Sequence, residues 1–233
     1  MAGEFEDRQI VVTGGTGALG GAVLARLLEE GAICHVPSSR PDAERLLAGN
    51  ERVRPVAGVD LADAVAVDAF YASVPDLWAS INLVGGFAMA AIEESAPQVL
   101  SAMIDANFRA TFLCCGAAAR SMLQVGRAGR IVNVAARPAL EPRRGAGMVA
   151  YAASKAAVAA MTLALAEELK GAGILVNAIA PSTLDTPANR AAMPQANFGK
   201  WVGIDAAAAA IVWLASPENL ATSGAVIPIY GRA

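Results

Sequence analysis

Ile10-Val11-Val12-Thr13-Gly14-Gly15-Thr16-Gly17-Ala18-Leu19-Gly20-Gly21 is the stretch on which the reading of this chain turns. Three β-branched apolar residues make a short buried strand, glycines cluster directly behind it, and a helical apolar pattern runs on to about Glu30. Strand, glycine turn and helix in that order suit a pyrophosphate. The glycines permit a tight turn and close approach of backbone to ligand, and the free N–H groups at the helix start form the positive end that an anion seeks. A mobile glycine loop has the same composition, so the rest of the chain carries the decision.

Working outward, Ile33 to Val36, Val53 to Val56, Leu77 to Asn82, Ile131 to Val134, Ile174 to Ala178 and Val226 to Ile229 are further strand candidates, with helical segments between most of them. Strands alternating with helices predict an α/β fold in which one mainly parallel sheet, about seven-stranded, is covered by helices on both faces. Ligands then bind at the carboxyl ends of the strands. The 233 residues suit one sizeable core, with no internal repeat and no linker, so a single domain over 1–233 is expected. Basic and acidic residues number 18 and 21 without long runs of either sign, which speaks against nucleic acid as a partner. No uncharged run is long enough to span a membrane, the acidic start from Met1 to Asp7 lacks a signal-peptide pattern, and the few, oddly spaced cysteines fit a reducing, cytoplasmic setting. Cys34, Cys114 and Cys115 match neither a disulfide framework nor, with the single histidine His35, a metal site. His35 reads as a packed strand residue and Cys114-Cys115 as helix packing.

Tyr151-Ala152-Ala153-Ser154-Lys155 opens a long apolar helix and sets a phenol and an ammonium four residues apart, on one helical face. A phenol with an ordinary pKa of roughly 10 needs a nearby cation to work as an acid–base group at neutral pH. Lys155, one of three lysines in the chain, can be that cation.

In these features the chain resembles the short-chain dehydrogenase/reductase family over essentially its whole length. The glycine motif is similar to Thr13-Gly14-x-x-x-Ala18-x-Gly20, the catalytic pair to Tyr151 and Lys155, the asparagine-rich strand end to Asn82-Leu83-Val84-Gly85, the adenine-contacting acid to Asp60, and the active-site helix asparagine to Asn107. Asn177-Ala178-Ile179-Ala180-Pro181 resembles the last cofactor-contacting loop, with Ser182 where a glycine is usual. The resemblance implies a Rossmann-type domain and a nicotinamide dinucleotide held by Gly14, Thr16, Gly17, Ala18, Leu19, Gly20, Asp60, Asn82, Val84, Gly85, Tyr151, Lys155, Pro181 and Thr183. It also implies hydride transfer to a small molecule, with Tyr151 as proton donor, Lys155 lowering the phenol pKa and Asn107 positioning a relay water. Its helices around Ala110 to Ala119 and from Val149 onward resemble those that pair subunits, implying a homodimer or homotetramer.

Three stretches tune this expectation. The second strand should end near Ser38, where an acid would select NAD(H); Ser38-Ser39-Arg40 offers hydroxyls and a guanidinium instead, suited to a 2′-phosphate, so NADP(H) is preferred and NAD(H) remains possible. The strand at Ile131 leads in the family to a serine that holds the reacting oxygen, but Ala135-Ala136 follows here and no serine or threonine occurs from Ile131 to Ala150. The segment from Pro181 to Trp201, within a substrate loop of about 182–204, resembles the dihydropteridine reductase branch, whose serine position is likewise an alanine. The substrate is thereby expected to be a carbonyl, quinonoid or pterin-like molecule. Dihydropteridine reduction proper and a non-catalytic dinucleotide sensor are the alternatives, and retained Tyr151, Lys155 and Asn107 argue against the sensor. Arg137, Arg143 and Arg144 could meet an anionic substrate or form an ordinary solvated loop.

Overall fold

Unbroken apolar triplets such as Ile10-Val11-Val12 are what a strand covered on both sides requires. The computed structural model describes residues 3–232. In chain order its elements are β1 (Gln9–Thr13), α1 (Ala18–Glu29), β2 (Ile33–Ser38), the short α2 (Ala43–Leu46), β3 (Val53–Ala57), α3 (Ala64–Ala72), β4 (Leu77–Asn82), α4 (Pro97–Met103) and α5 (Ala110–Val125). There follow β5 (Gly129–Val134), α6 (Arg137–Leu140), α7 (Val149–Leu169), β6 (Ile174–Pro181), β7 (Leu184–Asp185), α8 (Pro187–Ala192), β8 (Val202–Gly203), α9 (Ile204–Ala215) and β9 (Val226–Ile229).

The main sheet has the order β3-β2-β1-β4-β5-β6-β9, with every neighbouring pair parallel. Successive side chains of β1 go to opposite cores. Val11 joins Phe70 and Tyr71 of α3, Cys114 and Ala118 of α5, and Leu169 of α7, whereas Ile10 and Val12 join Val23 and Leu27 of α1 and Ile211 and Leu214 of α9. The strand order reverses between β1 and β4, and there the two loops leaving the sheet diverge and open a crevice. This is the single doubly wound domain that the alternation of strands and helices predicts.

All seven strand candidates are present, and β6 continues to Pro181 rather than stopping at Ala178. The small parallel pair of β7 with β8 is an addition, because two residues per strand leave no periodicity to detect. Between α4 and α5 lies a π-helical turn, Ile104–Arg109, which keeps one long helix from being regular where it passes the crevice. Helix α7 with the turn behind it, Val149–Ala172, is long and apolar enough to cross a membrane. Its Val158, Ala159, Ala166 and Leu169 are buried in the protein, which accounts for one apolar face, while Leu163 is exposed on another. The thiols of Cys114 and Cys115 are pushed up to about 12 by burial, in keeping with a packing role. His35 bonds Gln9 through Nε2 at 2.8 Å as a strand residue.

Candidate active site

At the end of β1 the chain turns through Gly14, whose φ of +70° lies in the left-handed region that favours glycine. A Cβ on Gly20 would stand 2.2 Å from the Gly14 carbonyl oxygen, so helix α1 can approach the turn only with glycine at that place. Gly17 caps α1 without any side-chain hydrogen bond, leaving the first N–H groups of the helix open to an anion. Thr13 Oγ1 accepts from Leu83 N at 3.0 Å and Val84 N at 3.2 Å, tying the ends of β1 and β4 together on the floor of the crevice.

A cavity of about 430 Å³ continues from the turn, with Gly14, Thr16, Ser38, Ser39, Arg40, Asp60 and Val84 in its wall. Residues expected far apart in sequence to meet one dinucleotide therefore share one space. Ser38 Oγ accepts the Arg40 N–H at 3.2 Å, which leaves its own proton to donate. The Arg40 guanidinium is held along its Nε–Nη2 edge by both oxygens of Asp42, at 3.0 and 3.1 Å, a partner the sequence reading did not include. Asp60 closes its own turn by accepting from Ala62 N at 2.9 Å.

The groups expected to react gather where the turn after β4 passes Asn107 and α7. Asn107, fully buried in the π-helical turn, accepts from Gly86 N at 2.9 Å and donates to Gly86 O at 3.1 Å and Ser154 Oγ at 3.0 Å. Both amide protons are thus used, and Asn107 fastens the turn after β4 to α7. The expected water relay has one Oδ1 lone pair left to work with on this side chain. A Cβ on Gly85 would lie 2.6 Å from Asn107 Oδ1 and 3.2 Å from Lys155 Nζ, so the turn passes directly over both. Lys155 is buried and donates to Val134 O at 2.8 Å. Burial lowers its pKa to about 8. Tyr151 meets the ring of Phe87 edge-on at 5.0 Å. Burial pushes its phenol up to about 12.

That direction corrects the expectation that Lys155 depresses the phenol. Loss of water acts on both groups against their charged forms, and one of the three Lys155 ammonium protons goes to the Val134 carbonyl. Asn82, expected at the cofactor, has its side chain in a buried chain of hydrogen bonds running from Tyr71 OH through Ser80, Asn82 and Asn133 to Thr162. It stiffens β4 and β5, leaving only its backbone for a ligand.

Beyond β6, Pro181 and Thr183 lead into the segment of about 182–204 expected as the substrate loop, called the lid below. Its base is closed by β7 with β8, and its body is held by the Asp185–Arg190 pair, by Arg190 over Phe198 at 4.7 Å and by Phe198 against Trp201 at 4.8 Å. Ala135 and Ala136 are buried at the end of β5. Ser154, Phe87 and Asp42 are the site residues that sequence reasoning missed. Phe87 alone had a signal, being a lone aromatic after a double glycine; the other two act only through folded contacts.

Fold and site together define a dinucleotide-dependent oxidoreductase. The family profile described as short chain dehydrogenase matches residues 8–197, and the chain belongs to that family; it is an NAD(P)-dependent oxidoreductase. The 3-oxoacyl-[acyl-carrier-protein] reductase MabA of Mycobacterium bovis is 32% identical over 97% of this chain and 93% of its own. Sorbitol dehydrogenase of Cereibacter sphaeroides is 29% identical over 98% of this chain and 85% of its own. Among solved structures, a short chain dehydrogenase/reductase family protein superposes with a TM-score of 0.89 at 28% identity, covering 98% of this chain and 97% of the other. ElxO with NADP bound gives 0.87 at 22% identity, covering 97% and 98%, a likeness of fold alone. The two curated relatives are a 3-oxoacyl-[acyl-carrier-protein] reductase and a sorbitol dehydrogenase, and the dihydropteridine reductase branch expected from Pro181 to Trp201 is not among the relatives named.

Proposed function

We propose that this protein is an NADP(H)-preferring reductase of a carbonyl, quinonoid or pterin-like small molecule, with Tyr151 as proton donor. The observation that carries the catalytic reading is the convergence of Asn107 and Lys155 on Gly85 at the foot of the helix that bears Tyr151. The cradle at Gly14 and Gly20, the open start of α1 and the adjoining cavity fit a dinucleotide, with Thr16, Gly17, Ala18 and Leu19 around its pyrophosphate and Asp60 at its adenine. When bound, that cofactor supplies the hydride. Lys155 would hold the nicotinamide side, and its ammonium would stabilise the negative charge that develops on the phenol as the proton leaves. Ser38, Ser39 and Arg40 meet the ribose side, Arg40 exchanging Asp42 for a phosphate.

The substrate class rests on Ala136. A simple ketone gains from a hydroxyl on its oxygen, and loss of one such donor costs on the order of a hundredfold. A ring reduced across a quinonoid system does not need it, and the lid resembles that of dihydropteridine reductases. Exposed Phe112, Leu123 and Leu163 on α5 and α7 support self-association as a dimer or tetramer.

The test is turnover of ketone, quinone and quinonoid dihydropterin panels with both cofactors. Tyr151→Phe should keep NADPH binding and lose roughly a hundredfold to ten-thousandfold in kcat. Near-parental turnover would remove Tyr151 from the mechanism. Ala136→Ser should raise ketone reduction while leaving quinonoid turnover unchanged or lower; equal effects on kcat/KM would remove the pterin analogy.

A further inference from the structure

The segment between β5 and α7 carries Arg137, Arg143 and Arg144 against one acid, Glu141, in a chain whose net charge is −3. Arg137 is the one held in place. Its side chain is 16% exposed where that of Arg144 is 66% exposed. Nε donates to Glu141 Oε2 at 3.0 Å, and the guanidinium carbon lies 4.5 Å from the centre of the Tyr230 ring. Tyr230 follows β9, and its carbonyl accepts from Ser182 Oγ at 2.9 Å, at the root of the lid. The guanidinium is therefore seated at the carboxyl ends of β5, β6 and β9, between the turn bearing Ala136 and the lid.

One edge and one face of Arg137 are occupied, and the other edge is not. Among the described residues, its hydrogen bonding is confined to Nε. Glu4 Oε1 is the single buried side-chain N or O left without a partner among those residues, so Nη1 and Nη2 border open space. Glu141 does not cancel the charge, because its Oε2 is shared between Arg137 at 3.0 Å and Arg144 at 3.6 Å, one carboxylate for two guanidinium groups. A guanidinium held rigid on one side and open along the other matches the two oxygens of a carboxylate, and it is ordered before the ligand arrives.

We propose that Arg137 is a specificity-determining residue that takes a carboxylate of the substrate on its Nη edge, so that the native substrate is an organic acid with its reducible group toward Tyr151. The proposal rests on the reductase reading above. Its test is binding to the NADPH-loaded protein of two matched pairs, 4-acetylbenzoate with 4-acetylbenzamide and 6-acetyl-2-naphthoate with its amide. Affinity is read from NADPH fluorescence in the parent, Arg137→Gln, Arg137→Lys and Glu141→Gln. At least one acid should bind about tenfold or more tighter than its amide in the parent. That ratio should fall to near one in Arg137→Gln, recover in part in Arg137→Lys, and hold or rise in Glu141→Gln. It should also shrink with added salt in the parent.

A parent ratio near one, no binding of either acid at millimolar concentration, or a ratio that survives Arg137→Gln overturns the proposal. Were Arg137 only a clamp on the loop, the substitution would weaken acid and amide together and leave the ratio unchanged, which also overturns it. If Arg137→Gln does not fold, loss of the acid preference in Glu141→Gln, or a parent preference indifferent to salt, does the same. NADPH binding without acid preference refutes the role of Arg137 alone, whereas failure of the parent to bind NADPH refutes the reductase reading.

Discussion

The turn after β1 and the lid after β6 both leave the carboxyl end of a parallel strand, yet they are built from different material. The first is held by backbone: a glycine at φ +70°, a helix start without a side-chain cap, and a contact that no Cβ could enter. The second is held by side chains on the surface, Asp185 with Arg190, Arg190 with Phe198 and Phe198 with Trp201. Backbone geometry tolerates little exchange and serves the cofactor common to a family. Exposed side-chain pairs can be exchanged without unfolding the domain, and that is where substrate choice can vary.

The sharpest way to break this contrast is Gly20→Val. Any Cβ there meets the Gly14 carbonyl at 2.2 Å, and neither partner is a flexible side-chain end. NADPH binding should be lost outright and the thermal midpoint should drop, as read by fluorescence titration and calorimetry. Retained binding would mean that the turn is not the rigid half.

Next in size is Lys155→Met, which separates function from stability within the backbone-held half. Moving a lysine pKa from 10.5 to about 8 is worth roughly 3 kcal/mol against the folded state. The unfolded chain binds more protons than the folded one between those values, so the cost is complete below about pH 8 and fades as pH rises toward 10.5. The variant should lose turnover by a hundredfold or more. It should nevertheless be as stable as the parent or more so at pH 7, offset by the lost bond to Val134 O, with the difference shrinking toward pH 10.5. A variant less stable at pH 7 and equal at pH 10.5 would reverse the assignment of that strain.

How much of this was legible beforehand follows the same division. Ile10-Val11-Val12 with its glycines, and the spacing of Tyr151 and Lys155, announce strand, turn and helical face because local patterns determine them. The direction of the Tyr151 shift was not legible, since burial by distant elements outweighs a neighbour on the same helix. Nor was the grip of Asp42 on Arg40, or the fastening of Asn107 to Gly86 and Ser154, because each is a pairing of rotamers that spacing alone does not select. The β7–β8 pair escaped because its strands are too short to carry a pattern.

Arg40→Ala probes the border between the two regimes, an exposed side chain on the cofactor side. NADPH should bind more tightly than NADH in the parent, and the substitution should narrow the difference by about tenfold through loss of a charge-assisted contact. Competition from Asp42 limits the effect, so Asp42→Asn should widen the difference. Equal dissociation constants in the parent would assign cofactor choice elsewhere.

The smallest expected effect is the one that decides whether the lid is built as described. Arg190 stands on the surface with Asp185, in an ion pair whose partners are too solvated to matter for global stability. It also covers one face of Phe198, which rests on Trp201 beside the base formed by β7 and β8. Arg190→Gln should leave the thermal midpoint and the NADPH dissociation constant where they are. The KM for substrate should rise a few-fold with kcat little changed, because the aromatic pair loses its cover while the groups at Tyr151 keep theirs. If the midpoint falls instead, the lid shares the rigidity of the turn after β1, and the contrast between the two loops fails. If KM stays put along with the midpoint, Phe198 and Trp201 form a lid wall the substrate never touches, and choice of substrate rests with the turn that follows β5.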